Sequence, residues 1–312
     1  MLVLRLRSAL IAGLALLALG ACSLQKLAVN TVAKTLSSAG GGTVFTGDDD
    51  PELVADALPF AMKLYESLLA EVPDNTELLL TTGSLFAMYA NAFVQGPAGM
   101  LPDSEFERKG EMLARAKNLY LRGREYCLRA LELRHPGFRK ALEANQAGKA
   151  LEAMSLKDVP YLFWASASWM GAFSTNPFDM ELLITLSRPL ALMDRAYRLE
   201  PGFNNGAIEE FYISAYGSLP TSLGGSPDKA REHFQKALQY TRGLKAGPYV
   251  ALATAVDVPA QNSAEFKELL QKALAVDVNA SPENRLENLL AQRKARWLLQ
   301  HIGDFFLLEE AP

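Results

Sequence analysis

Helix-start signals recur along this 312-residue chain, each at the head of an apolar run, and alternating strand patterns are hard to find. Asp50-Pro51-Glu52 is the first, followed by Asp74 with Glu77, Ser155 with Asp158, Ser226-Pro227-Asp228, Ser263, and Ser281-Pro282-Glu283. An Asp or Ser side chain accepts a hydrogen bond from an unpaired amide of the first turn, proline suits the first helical position, and an acid there meets the positive end of the dipole. Behind these caps the apolar residues fall three and four apart, as in Leu53, Ala57, Phe60, Leu64 and Leu68, or Phe266, Leu269, Leu270, Ala273 and Leu274. That spacing gives one apolar face per helix and predicts an all-α fold.

Similarity between the helices narrows the architecture further. Ala230, Phe234 and Ala237 have the small–aromatic–small spacing of the second helix in a TPR hairpin. Ala61, Tyr65, Leu68 and Pro73 form another copy, Ala196 with Pro201 the tail of a third, and a weaker one ends at Ala273; Gly83 and Phe86 partly match a first helix. Small residues let paired helices approach closely while the aromatic fills the gap between neighbouring pairs. The register is irregular, with an insertion from Leu219 to Gly225. The expectation is TPR-like helical hairpins packed into one compact, irregular helical-repeat domain over residues 48–312. The chain is 49% hydrophobic, enough for one large core or a continuous core along a stack.

The N-terminus has a different logic. Arg5 and Arg7 precede an apolar run from Ala9 to Leu19, which ends in Leu19-Gly20-Ala21-Cys22. The run is too short for a comfortable transmembrane span, and small residues before a cysteine mark a lipoprotein signal peptide over residues 1–21. Cys22 is then the lipidation site. Residues 22–47 read as a tether, with an amphipathic stretch from Leu24 to Leu36 and a break at Ser37-Ser38-Ala39-Gly40-Gly41-Gly42. Ser23 after the cysteine leans toward sorting to the outer membrane. Removing residues 1–21 takes away two of the 31 basic residues and no acid, leaving 29 against 35 acidic and a net charge of −6. That sign argues against nucleic acid as a partner. With Cys22 acylated, Cys127 has no disulfide partner, and within the helix Leu119–Leu133 it reads as a small buried hydrophobe.

Catalytic chemistry finds no footing. His135, His233 and His301 are far apart with no second ligand at metal-binding spacing, so neither a metal site nor any cofactor is expected. His135 before Pro136 reads as a helix C-terminal residue, and His233 as lying on the polar side of its helix. No serine stands in a nucleophile elbow. Gly224-Gly225-Ser226-Pro227-Asp228-Lys229 lacks P-loop spacing and reads as a glycine turn into a Ser-capped helix, while Asp48-Asp49-Asp50 reads as a cap because no spaced calcium loop follows.

One segment invites a binding role. Tyr161, Phe163, Trp164, Trp169, Met170 and Phe173 alternate with small residues such as Ala167 and Gly171. Such a helix packs as core, or lines an apolar cavity in which the small residues leave room. The candidate ligand cavity is Tyr161, Trp164, Trp169 and Phe173, with Phe86, Tyr89 and Phe93 on an opposing wall.

Several longer stretches complete the picture: Asp50-Pro51-Glu52-Leu53-Val54 with Leu58-Pro59-Phe60 and Leu64-Tyr65-Glu66, Leu131-Glu132-Leu133-Arg134-His135-Pro136-Gly137-Phe138, Val159-Pro160-Tyr161-Leu162-Phe163-Trp164, Gly224-Gly225-Ser226-Pro227, Pro248-Tyr249-Val250-Ala251-Leu252-Ala253 and Asn288 through Leu299. Together, from about residue 48 to 302, they resemble the TatT family, TPR-containing lipoproteins associated with tripartite ATP-independent periplasmic (TRAP) transporters. The resemblance implies an all-α fold, a periplasmic location, a homo-oligomer with a trimer expected, docking to the transporter's solute-binding protein, and an internal cavity or pore able to pass or hold a hydrophobic or organic-acid ligand. It implies no catalytic residue. The alternative is a TPR scaffold for cell-envelope protein assembly, whose signature is an open basic groove for peptide carboxylates.

Overall fold

The computed structural model describes residues 41–307, and among these every regular element is helical. The signal peptide, Cys22 and the Leu24–Leu36 stretch lie outside the described residues. In chain order the helices are α1 (Gly41–Thr46), α2 (Pro51–Glu71), α3 (Thr76–Tyr89), α4 (Phe106–Arg134), α5 (Phe138–Glu143), α6 (Gly148–Glu152), α7 (Val159–Thr175), α8 (Met180–Leu183), α9 (Ser187–Leu199), α10 (Phe203–Ser218), α11 (Pro227–Thr241), α12 (Gly247–Leu252), α13 (Ser263–Ala275) and α14 (Arg285–Gln300). Helix α1 falls within the stretch read as tether and packs against the start of α14.

The caps act as their chemistry requires. Asp50 accepts from the amides of Glu52 and Leu53, at 3.1 and 3.0 Å, with Pro51 at the first position. Two starts differ from the sequence reading by one residue: Asn75, not Asp74, accepts from Leu78 N–H at 3.0 Å, and Asn262, not Ser263, from Glu265 N–H at 3.2 Å. Asparagine caps as well as aspartate or serine, so the residue whose amide oxygen reaches the third amide of the helix takes the role.

Helices α2 and α3 form the first hairpin, α4 lies between α3 and α7, and α9 returns along α7; α10 pairs with α11, and α13 with α14. Gly83 of α3 and Gly123 of α4 set a close crossing: a Cβ on Gly123 would stand 2.7 Å from the Gly83 carbonyl oxygen, and one on Gly83 2.7 Å from that of Gly123. Cys127 is fully buried beside this crossing, and burial pushes its thiol pKa up. The repeat residues pack as their spacing requires, with Ala230 and Ala237 fully enclosed and Phe234 buried.

Helix α2 differs from its sequence reading. Leu53, Phe60 and Leu64 are 58%, 74% and 39% exposed, whereas Val54, Leu58, Met62, Tyr65 and Leu69 face the core. The helix carries two apolar stripes, and the one visible first points outward. Helix α14 then returns to the beginning of the fold: Arg293 pairs with Glu52 at 2.7 Å, Arg285 donates to the Gly47 carbonyl at 3.1 Å, and Leu286 joins the core built by α2–α10. The stack thus closes, first helices against last.

Two π-helical segments interrupt this regularity. Ala90–Gln95 extends α3 and presents Gln95, which accepts from Tyr120 Oη of α4 at 2.6 Å and donates to Ser174 Oγ of α7 at 2.9 Å. Ala253–Asp257 extends α12 and carries Asp257 into the core. Each inserts an extra residue into the helical turn and redirects a polar side chain inward.

Candidate functional site

Of the aromatic residues singled out by sequence, Trp169 borders a cleft. Phe86, Tyr89, Tyr161, Trp169 and Phe173 are buried, Trp164 and Phe93 half-buried. Arginines of α4 cover four of these rings: Arg115 stands 5.7 Å from the centroid of Tyr89, Arg122 4.8 Å from Phe86, Arg124 4.6 Å from Trp169 and Arg134 4.5 Å from Tyr161. Phe163, beside Trp164, packs against Phe203. The room expected at Gly171 is filled, since a side chain there would overlap the Tyr120 ring.

The arginines over these rings differ in their counter-ions. Arg122 pairs with Glu66, which also accepts from Tyr126 Oη at 2.7 Å. Arg134 pairs with Asp158 at 2.8 Å, and that carboxylate also takes the Ser155 amide and His135 Nε2. Burial works to raise the Asp158 pKa, but the Ser155 amide, His135 and Arg134 outweigh it and hold the carboxyl at about 2. Arg124, half-buried, has neither an ion pair nor a hydrogen bond among the described residues, and its Nε is enclosed without a partner there. Trp169, the ring beneath it, is oriented by donating Nε1–H to Thr185 Oγ1 at 3.2 Å.

Trp169 and Arg124 border a cleft of about 300 Å³ between α4, α5, α7 and the α8–α9 region. Sequence placed Trp169 in a candidate site but missed the guanidinium above it, because the two residues lie on different helices. Local structure delivers the remaining charges. Glu132 accepts from the Gly137 and Arg139 amides, at 2.8 and 2.7 Å, which fixes the start of α5 and brings Arg139 to the cleft. Arg188, at the first turn of α9, is held by neutral acceptors, the Asn145 side chain at 3.1 Å and the Glu143 carbonyl at 2.8 Å.

His233 corrects the sequence reading. It is buried against Tyr212 and Tyr216, centroids 4.7 and 5.4 Å away, and its Nδ1 bonds Glu209. Its position between Ala230 and Ala237 puts it on the face that α10 covers, and burial is tolerated because Glu209 satisfies the ring. His135 terminates α4 as expected.

A second charged cluster lies at the other end of the fold. Arg231 of α11 pairs with Glu265 and with the fully buried Asp257, at 3.2 Å, on the wall of a cleft of about 420 Å³. Burial, then the Glu265 charge, push Asp257 up to about 6 against the pull of Arg231. A recess between α10 and α14 holds a third: Lys245 bonds Glu210 at 2.9 Å and Glu287 at 3.2 Å. Burial, opposed by Lys245 and reinforced by Glu287, raises Glu210 to about 7.

Among the described residues, no group of three or more His, Cys, Asp and Glu side chains could hold a metal ion, and no helix is long and apolar enough to cross a membrane. The TRAP transporter T-component family model matches residues 47–306, nearly the whole closed stack. The chain belongs to this T-component family. An uncharacterized protein of Treponema pallidum (strain Nichols) is 36% identical over 301 residues, covering 92% of this chain and 93% of that protein. Membership gives the T component an accessory role in TRAP transport.

Proposed function

We propose that the chain is a non-enzymatic lipoprotein, anchored through Cys22 in the periplasm, that docks the solute-binding protein of a TRAP transporter and holds ligand beside it. The family match over residues 47–306 carries this reading. Docking needs an apolar surface that the fold does not use itself. Phe178, Met180 and Ile184 supply one, at 89%, 64% and 73% exposure, next to the cleft that Trp169 borders. Such a patch on a folded surface marks an interaction site. Leu53, Phe60 and Leu64 on α2 form a separate outward stripe, suited to the self-association expected of a homotrimer. The lipid anchor, toward the outer membrane on the Ser23 reading, would hold both surfaces close to the bilayer.

The test is co-purification of the detergent-solubilised, lipidated chain with the solute-binding protein of its own TRAP system. Recovery of the pair, reduced when Phe178 and Ile184 are changed to Asp, supports docking. A folded wild-type chain that never retains the solute-binding protein refutes it, and the envelope-scaffold reading would replace it.

A further inference from the structure

The cleft beside Trp169 holds two arginines that make no ion pair among the described residues. Of its four cations, Lys117 is paired with Asp179 and Arg139 with Glu125, the latter at 2.6 Å. Among the described residues, Arg188 has only neutral partners and Arg124 has no ion pair or hydrogen bond. Glu143 and Glu181, the other acids at the cleft, are exposed side chains in contact with water. A half-buried guanidinium with an enclosed, unpartnered Nε loses hydration without recovering hydrogen bonds, which is unfavourable unless something else supplies the acceptor. Burial comes first among the causes that depress the Arg124 pKa, and although Glu125 opposes it, Arg139 and Arg188 add to the depression. Arg124 therefore sits beside like charges, and among the described residues none of the cleft's acids, Glu125, Glu143 and Glu181, makes an ion pair or hydrogen bond with it.

We infer that this cleft binds a small organic carboxylate, its head between Arg124 and Arg188 and its short apolar tail against Leu121, Leu128, Leu142 and Leu182. Arg124 lies over the Trp169 ring, its Cζ 4.6 Å from the centroid, and its terminal N–H groups have the fork geometry for paired bonds with a planar carboxylate. The Thr185 hydroxyl holds the indole, so the platform is set before ligand arrives. Four leucines beside the charged groups favour a hydrocarbon tail over a fully polar anion. A volume of about 300 Å³ is at the small end of ligand pockets and matches a short tail. This assignment names a site for the ligand-holding part of the proposed function, and it stands or falls in the isolated chain whether or not a solute-binding protein docks.

The experiment is calorimetric titration of the full mature chain with hexanoate, with hexan-1-ol as the uncharged analogue and with a short peptide bearing either a free or an amidated C-terminus. Hexanoate should bind and raise the melting temperature, hexan-1-ol should do neither, and Arg124→Gln and Arg188→Gln should each weaken hexanoate by roughly tenfold or more. Arg124→Lys should also lose affinity, because an ammonium cannot reproduce the fork. Should Arg124→Gln fail to fold, Arg188→Gln, which lies on another helix, decides alone. No binding at about 10 mM hexanoate, equal binding of hexan-1-ol, or unchanged affinity in folded Arg188→Gln overturns the inference. Binding only of the peptide with the free C-terminus also overturns it, in favour of a peptide groove.

Discussion

Replacing Gly123 by Ala should destabilise the protein although alanine is the better helix former. The added methyl would stand 2.7 Å from the Gly83 carbonyl oxygen, 0.7 Å short of the 3.4 Å at which ordinary contact begins, with Phe86 Cβ at 3.3 Å on its other side. A backbone oxygen cannot swing aside, so α3 and α4 must separate. Overpacking of this kind costs about 1–3 kcal/mol, and the gain in helix propensity returns about 1 kcal/mol. The net loss should be up to about 2 kcal/mol, or a fall of up to roughly 8 °C in melting temperature for a domain of this size. Gly110, on the same helix with nothing within 4 Å of its missing Cβ, is the control, and Gly110→Ala should gain the propensity alone. Adding Gly83→Ala to Gly123→Ala should cost less than the sum of the singles, because one helix displacement relieves both clashes. Thermal denaturation of the four variants checks this. A Gly123→Ala protein that melts with Gly110→Ala, at or above wild type, would refute the close crossing.

His233→Ala leaves the Glu209 carboxylate fully buried without its partner, Oε1 being already unpartnered, and should cost about 3 kcal/mol or more; a loss below about 1 kcal/mol by urea denaturation would contradict the pairing. Because the folded Asp257 pKa is raised to about 6, the native chain holds a proton that the unfolded one has released, and stability should decline as pH rises from about 4 through 6. Asp257→Asn keeps a donor for Glu265 and should remove that decline, so its denaturation midpoint should gain on wild type across the window; parallel curves would rule the mechanism out. Cys22→Ser should prevent acylation and yield released protein or uncleaved precursor, which metabolic labelling with palmitate reads directly.

Much of the architecture was legible because capping and small-residue spacing are local. Asp50, Ser226 and the Ala230–Phe234–Ala237 set each reveal their role within about one helical turn. Helix α2 was not legible in the same way: it has two apolar stripes, and periodicity alone cannot say which of Leu53–Phe60–Leu64 or Val54–Leu58–Met62 meets the core. The π-helical segments left no sign, since one extra residue in a turn changes neither composition nor spacing enough to notice. For the candidate site, Trp169 stood out as an aromatic among small residues, but its meaning depends on Arg124, 45 positions earlier, and on Arg188 from a third helix. His233 was misplaced for a related reason, because its partner Glu209 comes from the neighbouring helix and makes burial of a polar ring acceptable.

Docking of the proposed solute-binding protein is read by surface plasmon resonance of the lipidated chain in nanodiscs against the solute-binding protein of its own TRAP system. Saturable binding is expected, weakened by roughly tenfold or more when Phe178, Met180 and Ile184 are all changed to Asp in a chain that melts as wild type. No saturable binding of the wild-type chain, or undiminished binding by the folded triple variant, would contradict it.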